Sequence, residues 1–530
     1  MPTPLETLPN AREGLIALIT QRDQWLAEKD QQIDALSERV AFFEEQFRLL
    51  REKQFGTSSE QSALQPWLFN EAELTQGGAA PVMPEQTITY TRTKPGRKGL
   101  PKDLPTERIE YTLPPDEQIC ACCGGPLHAM STVSREELEF IPAQLKRIEH
   151  IRHVYSCRQC EHAGDAVAIV TAPAPKPPIP KSYASASLLA YIIVAKFVDG
   201  LPLYRLEAHF ERLGISLSRQ VMSAWMIRVA LLLEPVFDRL TEELRRRSIL
   251  HADETTLQVL REPGRAAQTQ SYLWLYRSSG ADGPPIVLYD YQETRSSEHP
   301  KAFLVGFRGY LHVDGYAGYH PLENVTLVGC WAHARRAWHE TVQALPPAKR
   351  HTVGKAHQGL AYCNRLFAIE RELKSHSPEE RHAARNARSR PVVEEFYAWL
   401  GTLQSQALPK TQLGKAVRYC MNQRHKLERF LDDGRLELDN NRAERSIKPF
   451  VIGRKAWLFA NTPGGARASA MLYGIVETAR ENGLKPADYL IRLLQELPNI
   501  GDITDEAIER LLPWNVRAQN SAANGQVGIN

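Results

Sequence analysis

Along the first segment of the chain, apolar residues recur every seven positions at Ile19, Leu26, Ile33, Val40 and Phe47, with Leu36, Phe43 and Leu50 three positions after the later ones. Spacings of seven and three keep one apolar seam on a helix, so residues 12 to about 54 are predicted to form a coiled coil. Arg22 and Lys29 interrupt the early seam and weaken its first heptads. The alternative is an amphipathic helix packed on its own protein. Gly56 and the polar TSSEQS after it end the pattern. Residues 61–106 lose periodicity and are rich in Pro, Gly, Thr and Gln, which describes a linker.

Helical periodicity returns after the proline-rich TAPAPKPPIPK, and residues 183–246 read as helical throughout. Within them LPLYRLEAHFERLG and ISLSRQVMSAWMIRV are predicted as a helix, a turn at Gly214 and a second helix capped by Ser216 or Ser218. The spacing is that of a helix-turn-helix, in which Arg219 and Gln220 would read a DNA groove, although any αα-hairpin shares it. From Ser248 the period becomes two. LHADETTLQVL, QSYLWLYRS and PPIVLYDYQE are predicted strands, followed by a helical SEHPKAFLVGF and a strand in GYLHVDGYAGY. TLVGCWAHARRAWHETVQ continues as a short strand and a helix. Three antiparallel strands, a helix and another strand is the order of a ribonuclease H-like fold.

The predicted organisation is multidomain α+β. Residues 1–56 form a coiled-coil oligomerisation helix, 57–106 a basic Pro/Gly-rich linker, 107–172 a zinc-binding module and 173–247 a helical, helix-turn-helix-like DNA-binding region. A ribonuclease H-like α/β core follows in two parts, 248–339 and 431–495, around an all-helical insertion at 340–430, with a C-terminal element and tail at 496–530.

Composition sharpens this outline in three ways. The 530 residues are too many for one ordinary domain, in line with a modular chain. The balance of 65 basic to 62 acidic residues gives only +3, so nucleic-acid binding must come from local clusters. Such clusters occur at 94–98, which includes Arg97 and Lys98, at 245–247, at Arg335 and Arg336, and at Arg442, Arg445, Lys448, Arg454 and Lys455. Arg97 and Lys98 would touch phosphates or a minor groove, unless they only keep the tether soluble. MPTPLETLPN lacks the basic and apolar regions of a signal peptide, and the apolar run near 187–198 falls short of the roughly 20 residues that span a bilayer. A soluble, intracellular protein is expected.

Four of the eight cysteines form two C-x-x-C pairs, Cys120 with Cys123 and Cys157 with Cys160. Four thiolates suit a tetrahedral structural Zn²⁺, and in a reducing compartment this arrangement argues for metal over disulfides. Cys122, His128, His150 and His153 are reserve ligands.

Three acidic residues carry the candidate chemistry: Asp253 in SILHADETT, Asp314 in YLHVDGYAGY and Glu444 in LDNNRAERSIKPF. The first two follow β-forming runs, so their carboxylates fall at strand ends. The third lies in a helix-compatible stretch, with Asn441, Arg445 and Lys448 at spacings of three or four that would offer cations to phosphates. Carboxylates bind hard divalent cations, and two ions about 3.5–4 Å apart activate an attacking oxygen while stabilising a leaving one. Glu254 neighbours Asp253 and would point to the opposite face of the strand. Asp439 is the alternative third acid. A Cys330 nucleophile with His333 as base lacks a visible orienting group; His333, Arg335 and Arg336 fit better as contacts to a DNA strand.

At these residues the chain resembles the transposases of the insertion-sequence-66 type. The resemblance runs through KQFGTSSEQS, the four-cysteine module, IPKSYASASLLAYIIVAKFVDGLPLYR, HADET, VDGYAGY, CWAHARR, DNNRAERSIKP, GRKAWLFANTPGGARASAMLYGIVETARENGLKP and the closing LLPWN. It implies a DDE transposase of a bacterial mobile element, with Asp253, Asp314 and Glu444 as the acidic triad holding Mg²⁺ or Mn²⁺. It further implies cleavage at terminal inverted repeats followed by strand transfer into target DNA. Assembly as a dimer or larger complex, small companion proteins of the same element, and a cytoplasmic, nucleoid-associated location complete the expectation. A metal-dependent nuclease without strand transfer and a non-catalytic zinc-containing DNA-binding regulator are the alternatives.

Overall fold

A computed structural model describes residues 12–55, 144–156, 169–346, 350, 354–404 and 406–526. The chain forms two units, residues 1–69 with 150–530, and residues 70–149. Of the second, only 144–149 are described, an exposed stretch without regular structure. Cys120, Cys122, Cys123, His128, Cys157 and Cys160 lie outside the described residues, as do Arg97 and Lys98. His150 and His153 are exposed. Beside them a short antiparallel ladder joins β1 (Val154–Ser156) to β2 (Ile169–Thr171).

Helix α1 (Arg12–Phe55) runs for 44 residues and stops at the residue before Gly56. Its seam residues Ile19, Leu26, Ile33, Leu36, Val40, Phe43 and Phe47 are all exposed.

Three helices lead into the main sheet. Ser185 and Ser218 cap α2 (Ala186–Phe197) and α4 (Arg219–Arg245) by accepting the backbone N–H of Leu188 and Val221, which satisfies donors the first turn leaves open. Between them α3 (Leu203–Arg212) is followed by a turn at Gly214, whose φ of +83° suits a residue without a side chain. By length and apolar composition α4 could cross a membrane. Here, however, it buries Met222, Trp225, Val229, Leu233, Val236, Leu240 and Leu244 in the protein core.

The sheet has five strands in the order β5-β4-β3-β6-β7. Strands β3 (Ile249–Gln258), β4 (Gln270–Ser278) and β5 (Val287–Gln292) form an antiparallel meander. Helix α5 (Glu298–Phe303) then carries the chain across to β6 (Gly309–His312), which pairs parallel with β3, and β7 (Val325–Val328) pairs parallel with β6. Gly309 sits where the crossover returns: its φ is +150°, and a Cβ would lie 2.3 Å from the Ser248 carbonyl oxygen. Two later helices, α12 (Asn441–Trp457) and α13 (Pro463–Glu481), pack on the sheet, α12 across β3 and β4 and α13 along β5. Near the C-terminus α14 (Pro486–Glu496) packs on α2.

Between β7 and α12 the chain builds a second apolar core. It is formed by α6 (Trp331–Gln343), α7 (Lys355–Glu372), α9 (Arg390–Gln404), α10 (Gln412–Asn422) and the short α11 (Arg424–Leu427), around Trp331, Trp338, Phe396, Leu400 and Phe430, while α8 (Pro378–Ala384) buries none of its residues. This helical core is tied to the sheet at its base. The Gly329 N–H donates to the Lys426 carbonyl (2.9 Å), Trp331 Nε1 to the Leu427 carbonyl (2.8 Å) and the Trp331 N–H to the Leu438 carbonyl (3.1 Å). Buried Arg385 locks the return path, donating to both carboxylate oxygens of Glu370 (2.8 and 2.7 Å) and to the carbonyls of Phe430, Asp433 and Leu436 (2.8–3.0 Å).

Arg385→Leu strands Glu370 and three carbonyls without their donor. Loss of one partner of a buried pair costs about 3–5 kcal/mol, so urea unfolding followed by circular dichroism should show a loss of that order.

Candidate active site

The sequences His251-Ala-Asp253 on β3 and His312-Val-Asp314 at the end of β6 are the same H-x-D pattern on neighbouring parallel strands. Side chains alternate along a strand, so each histidine shares a sheet face with its aspartate. The register pairs His251 with His312, which brings Asp253 and Asp314 side by side two residues further on, just past the parallel pairing. Asp314 follows the end of β6 as expected, but Asp253 lies inside β3 and not at a strand end, because the antiparallel ladder with β4 carries β3 on to Gln258. Both carboxylates are fixed from below. Asp253 Oδ1 accepts the Glu254 N–H (2.8 Å), and Asp314 Oδ1 accepts the Tyr316 N–H (2.7 Å) in a turn over Gly315.

Glu254 is buried and held by partners of its own. Its carboxylate receives Arg295 Nε (2.8 Å) and the Tyr319 hydroxyl (2.6 Å), while the Arg295 guanidinium lies over the Tyr316 ring at 3.8 Å. Among the described residues Asp253 has no such cation. Burial and then the nearby charges of Glu254, Asp314 and Glu444 hold its carboxyl well above the usual range. The acids from β3, β6 and α12 therefore lie within each other's field.

Glu444 occupies the first turn of α12 and faces α6. His333 Nδ1 is 3.7 Å from Glu444 Oε1, and Arg336 Nη2 is 3.8 Å from Oε2. One ligand atom each of Cys330, His333 and Glu444 lie within 4.8 Å of one another. Burial and then Arg336 push His333 down to about 4, leaving a neutral imidazole that could act as a ligand or acceptor. Asp439 does different work: its two oxygens accept the N–H of Asn441 (3.0 Å) and Asn441 Nδ2 (2.9 Å) just ahead of α12.

The arginine pair divides. Arg336 faces Glu444, whereas Arg335 donates through Nε to Asn364 Oδ1 (2.7 Å) on α7. Arg445 is exposed and Lys448 half-buried on α12, three residues apart on one helix face. Arg219 and Gln220 are both exposed in the first turn of α4.

Several contributors went unnoticed in the sequence. From the helical insertion, Tyr419 approaches Gly315 so closely that a Cβ there would lie 3.0 Å from its ring. Lys426, fully buried, bonds His320 Nε2 through Nζ at 2.7 Å, and the Asp314 charge acts on its ammonium. Asn440, His251 and His312 form a buried layer beneath the acids. The duplicated H-x-D was a legible signal for the two histidines, whereas nothing in sequence announced Lys426 or Tyr419.

Chemically, the cluster presents carboxylate oxygens with one imidazole nitrogen, a donor set suited to divalent cations. Burial first, and then the crowded negative charge, raise the Asp253 carboxyl, and a bound cation would relieve the crowding.

The matching family models describe proteins of one class. A model described as Transposase IS66 family matches residues 181–468, the span holding Asp253, Asp314 and Glu444. The zinc-finger binding domain of transposase IS66 matches 117–161, which includes all four C-x-x-C cysteines. Transposase C of IS166 homeodomain matches 43–109, and the IS66 C-terminal element matches 475–514. The class is therefore transposases, proteins that act on DNA. Within it, the chain belongs to the IS66 transposase family. Two similar proteins of Sinorhizobium fredii (strain NBRC 101917 / NGR234) carry the names uncharacterized protein y4jD and uncharacterized protein y4qI. The first is 34% identical over 79% of this chain and 82% of its own length, the second 31% over 91% and 90%.

The raised Asp253 carboxyl sets a stability signature for metal-free protein. Native Asp253 keeps its proton to higher pH than the unfolded chain does. The resulting stabilisation is complete below the unfolded value of about 3.9 and is lost as pH rises through the raised native value. Asp253→Asn should therefore raise the neutral-pH melting temperature without added metal, by about 2–4 °C for each kcal/mol recovered. The gain over wild type should vanish near pH 4 in thermal melts.

Proposed function

We propose that this transposase cuts the ends of its mobile element and joins them to target DNA, with Asp253, Asp314 and Glu444 holding two divalent cations, Mg²⁺ or Mn²⁺. The observation that carries this reading is the mutual field of three carboxylates from β3, the β6 end and α12. Such cations, when bound, activate the attacking oxygen and stabilise the leaving one during in-line displacement at phosphorus. Glu444 is the better third acid than Asp439, because Asp439 is engaged with Asn441 while Glu444 faces His333 and Arg336.

The chain's own residues have distinct parts in this proposal. Arg336 offers positive charge beside Glu444, and exposed Arg445 with Lys448 would take phosphates of the strand being cut. Arg219 and Gln220, exposed at the start of α4, would contact the terminal repeats. A ribonuclease H-like core is supported by three antiparallel strands flanked by two parallel ones, with the first strand central. Zn²⁺ on Cys120, Cys123, Cys157 and Cys160 is supported by the zinc-finger match over that span. The exposed apolar seam of α1 supports self-association through a coiled coil that would bring two element ends together.

The test is strand cleavage and joining on labelled DNA carrying the element's own ends, with Mg²⁺ or Mn²⁺. Asp253→Ala, Asp314→Ala and Glu444→Ala should each remove cleaved and joined products while end binding and zinc content persist, and Asp439→Ala should retain products. Cleavage without joining would instead favour a nuclease, and binding without any metal-dependent product a regulator. Separately, Ile33→Glu with Val40→Glu should shift the protein to a smaller species in light scattering.

A further inference from the structure

Asn440 stands at the N-cap of α12, where an asparagine side chain ordinarily accepts a hydrogen bond from the first turn. Here it makes no such bond. Asp439 caps the neighbouring N–H of Asn441 instead, and the Asn440 side chain turns away into the protein, 2% exposed. Asn440 Nδ2 donates to the Ala252 carbonyl at 2.9 Å, which fixes the amide orientation and leaves Oδ1 facing His251 Nδ1, also at 2.9 Å. His251 Nδ1 therefore carries the proton and donates. The Asn440 backbone adds two more ties: its N–H donates to Cys330 Sγ at 3.2 Å, and its carbonyl accepts the Glu444 N–H at 3.2 Å.

These bonds join the strand bearing Asp253, the turn before His333 and the helical turn bearing Glu444. The His251 ring lies flat on His312, with centroids 4.3 Å apart and planes 9° from parallel, and His312 Nε2 accepts the Glu437 N–H at 3.4 Å. The strand bearing Asp314 is thereby drawn into the same layer.

We propose that Asn440, through His251, is the positioning residue that sets the spacing of the Asp253, Asp314 and Glu444 carboxylates for cation binding. This rests on the reading of those three acids as cation ligands. An amide suits the position because it must donate to a carbonyl and accept from an imidazole at once, in a space closed to water. Groups that orient metal ligands typically change metal affinity or activity by about 10–100-fold when removed.

The test measures Mn²⁺ binding by the free-ion electron paramagnetic resonance signal, on the full chain without DNA. Wild type should bind Mn²⁺ and Asp314→Ala should lose that binding. Asn440→Ala and His251→Leu should weaken it about 10–100-fold while DNA-end binding and zinc content stay as in wild type. His251→Asn, whose amide nitrogen can stand where Nδ1 does, should restore affinity to within about threefold of wild type. Wild-type affinity in Asn440→Ala and His251→Leu would overturn the proposal. Equal loss in His251→Leu and His251→Asn, or failure of all three variants to fold, would also overturn it, since the residues would then serve the fold alone. Absence of Mn²⁺ binding in wild type would instead overturn the assignment of the acids.

Discussion

Like charges gathered beside the central strand of the sheet are the constraint on which the rest of this protein turns. Asp253, Glu254, Asp314 and Glu444 come from three elements and act on one another through a partly buried space. Such a cluster opposes folding unless its surroundings hold it in place. Glu254 is paired locally with the Arg295 guanidinium and accepts the Tyr319 hydroxyl. For the other acids the holding is done from beneath, by the stacked His251 and His312 rings and by Asn440. Burial and nearby arginines keep His251 down at about 3, so this layer is neutral and adds no charge of its own to the site.

Helix α12 must bring Glu444 towards the sheet and stay there. Arg277, buried on β4, donates to the Ser446 hydroxyl and pairs with Glu481 of α13 at 3.1 Å, while the Tyr289 hydroxyl on β5 donates to the Ser446 carbonyl. Two strands thus grip the turn after Glu444. At the far end of the helix, Leu458 takes a φ of +66°, a conformation costly for a branched side chain, and Arg454 ties back to Thr256 on β3. The helix is fastened to β3 at both ends, through Asn440 and through Arg454.

The helical insertion is part of the site's construction. Its last residues return beside β7, and its two ends are bonded to each other through Gly329 with Lys426 and Trp331 with Leu438. This return delivers Lys426 and Tyr419 to the Asp314 turn and takes Arg335 away from it, towards Asn364. The acids are therefore approached by residues of the insertion as well as by those of the sheet. The Arg385 network ties the insertion to the segment that leaves it, at Phe430, Asp433 and Leu436.

The sequence alone indicated the kind of many elements, because periodicity and caps are local properties: the switch from helix to strand at Ser248, a cap at Ser216 or Ser218, of which the structure uses Ser218, and the end of α1 beside Gly56 were legible there. It also marked Asp253 and Asp314 by the β-forming runs before them, whereas the register that sets the two side by side came from the tertiary structure. It could not choose between Asp439 and Glu444, because both lie beside the start of one helix and only the helix's rotation against α6 decides which carboxylate faces His333. Nor could it assign Asn440 or Lys426, whose hydrogen-bond partners lie 189 and 106 residues away. Local patterns carry propensity and period, whereas the direction a buried polar group faces is set by whatever the fold brings against it, and that information exists only in the tertiary structure.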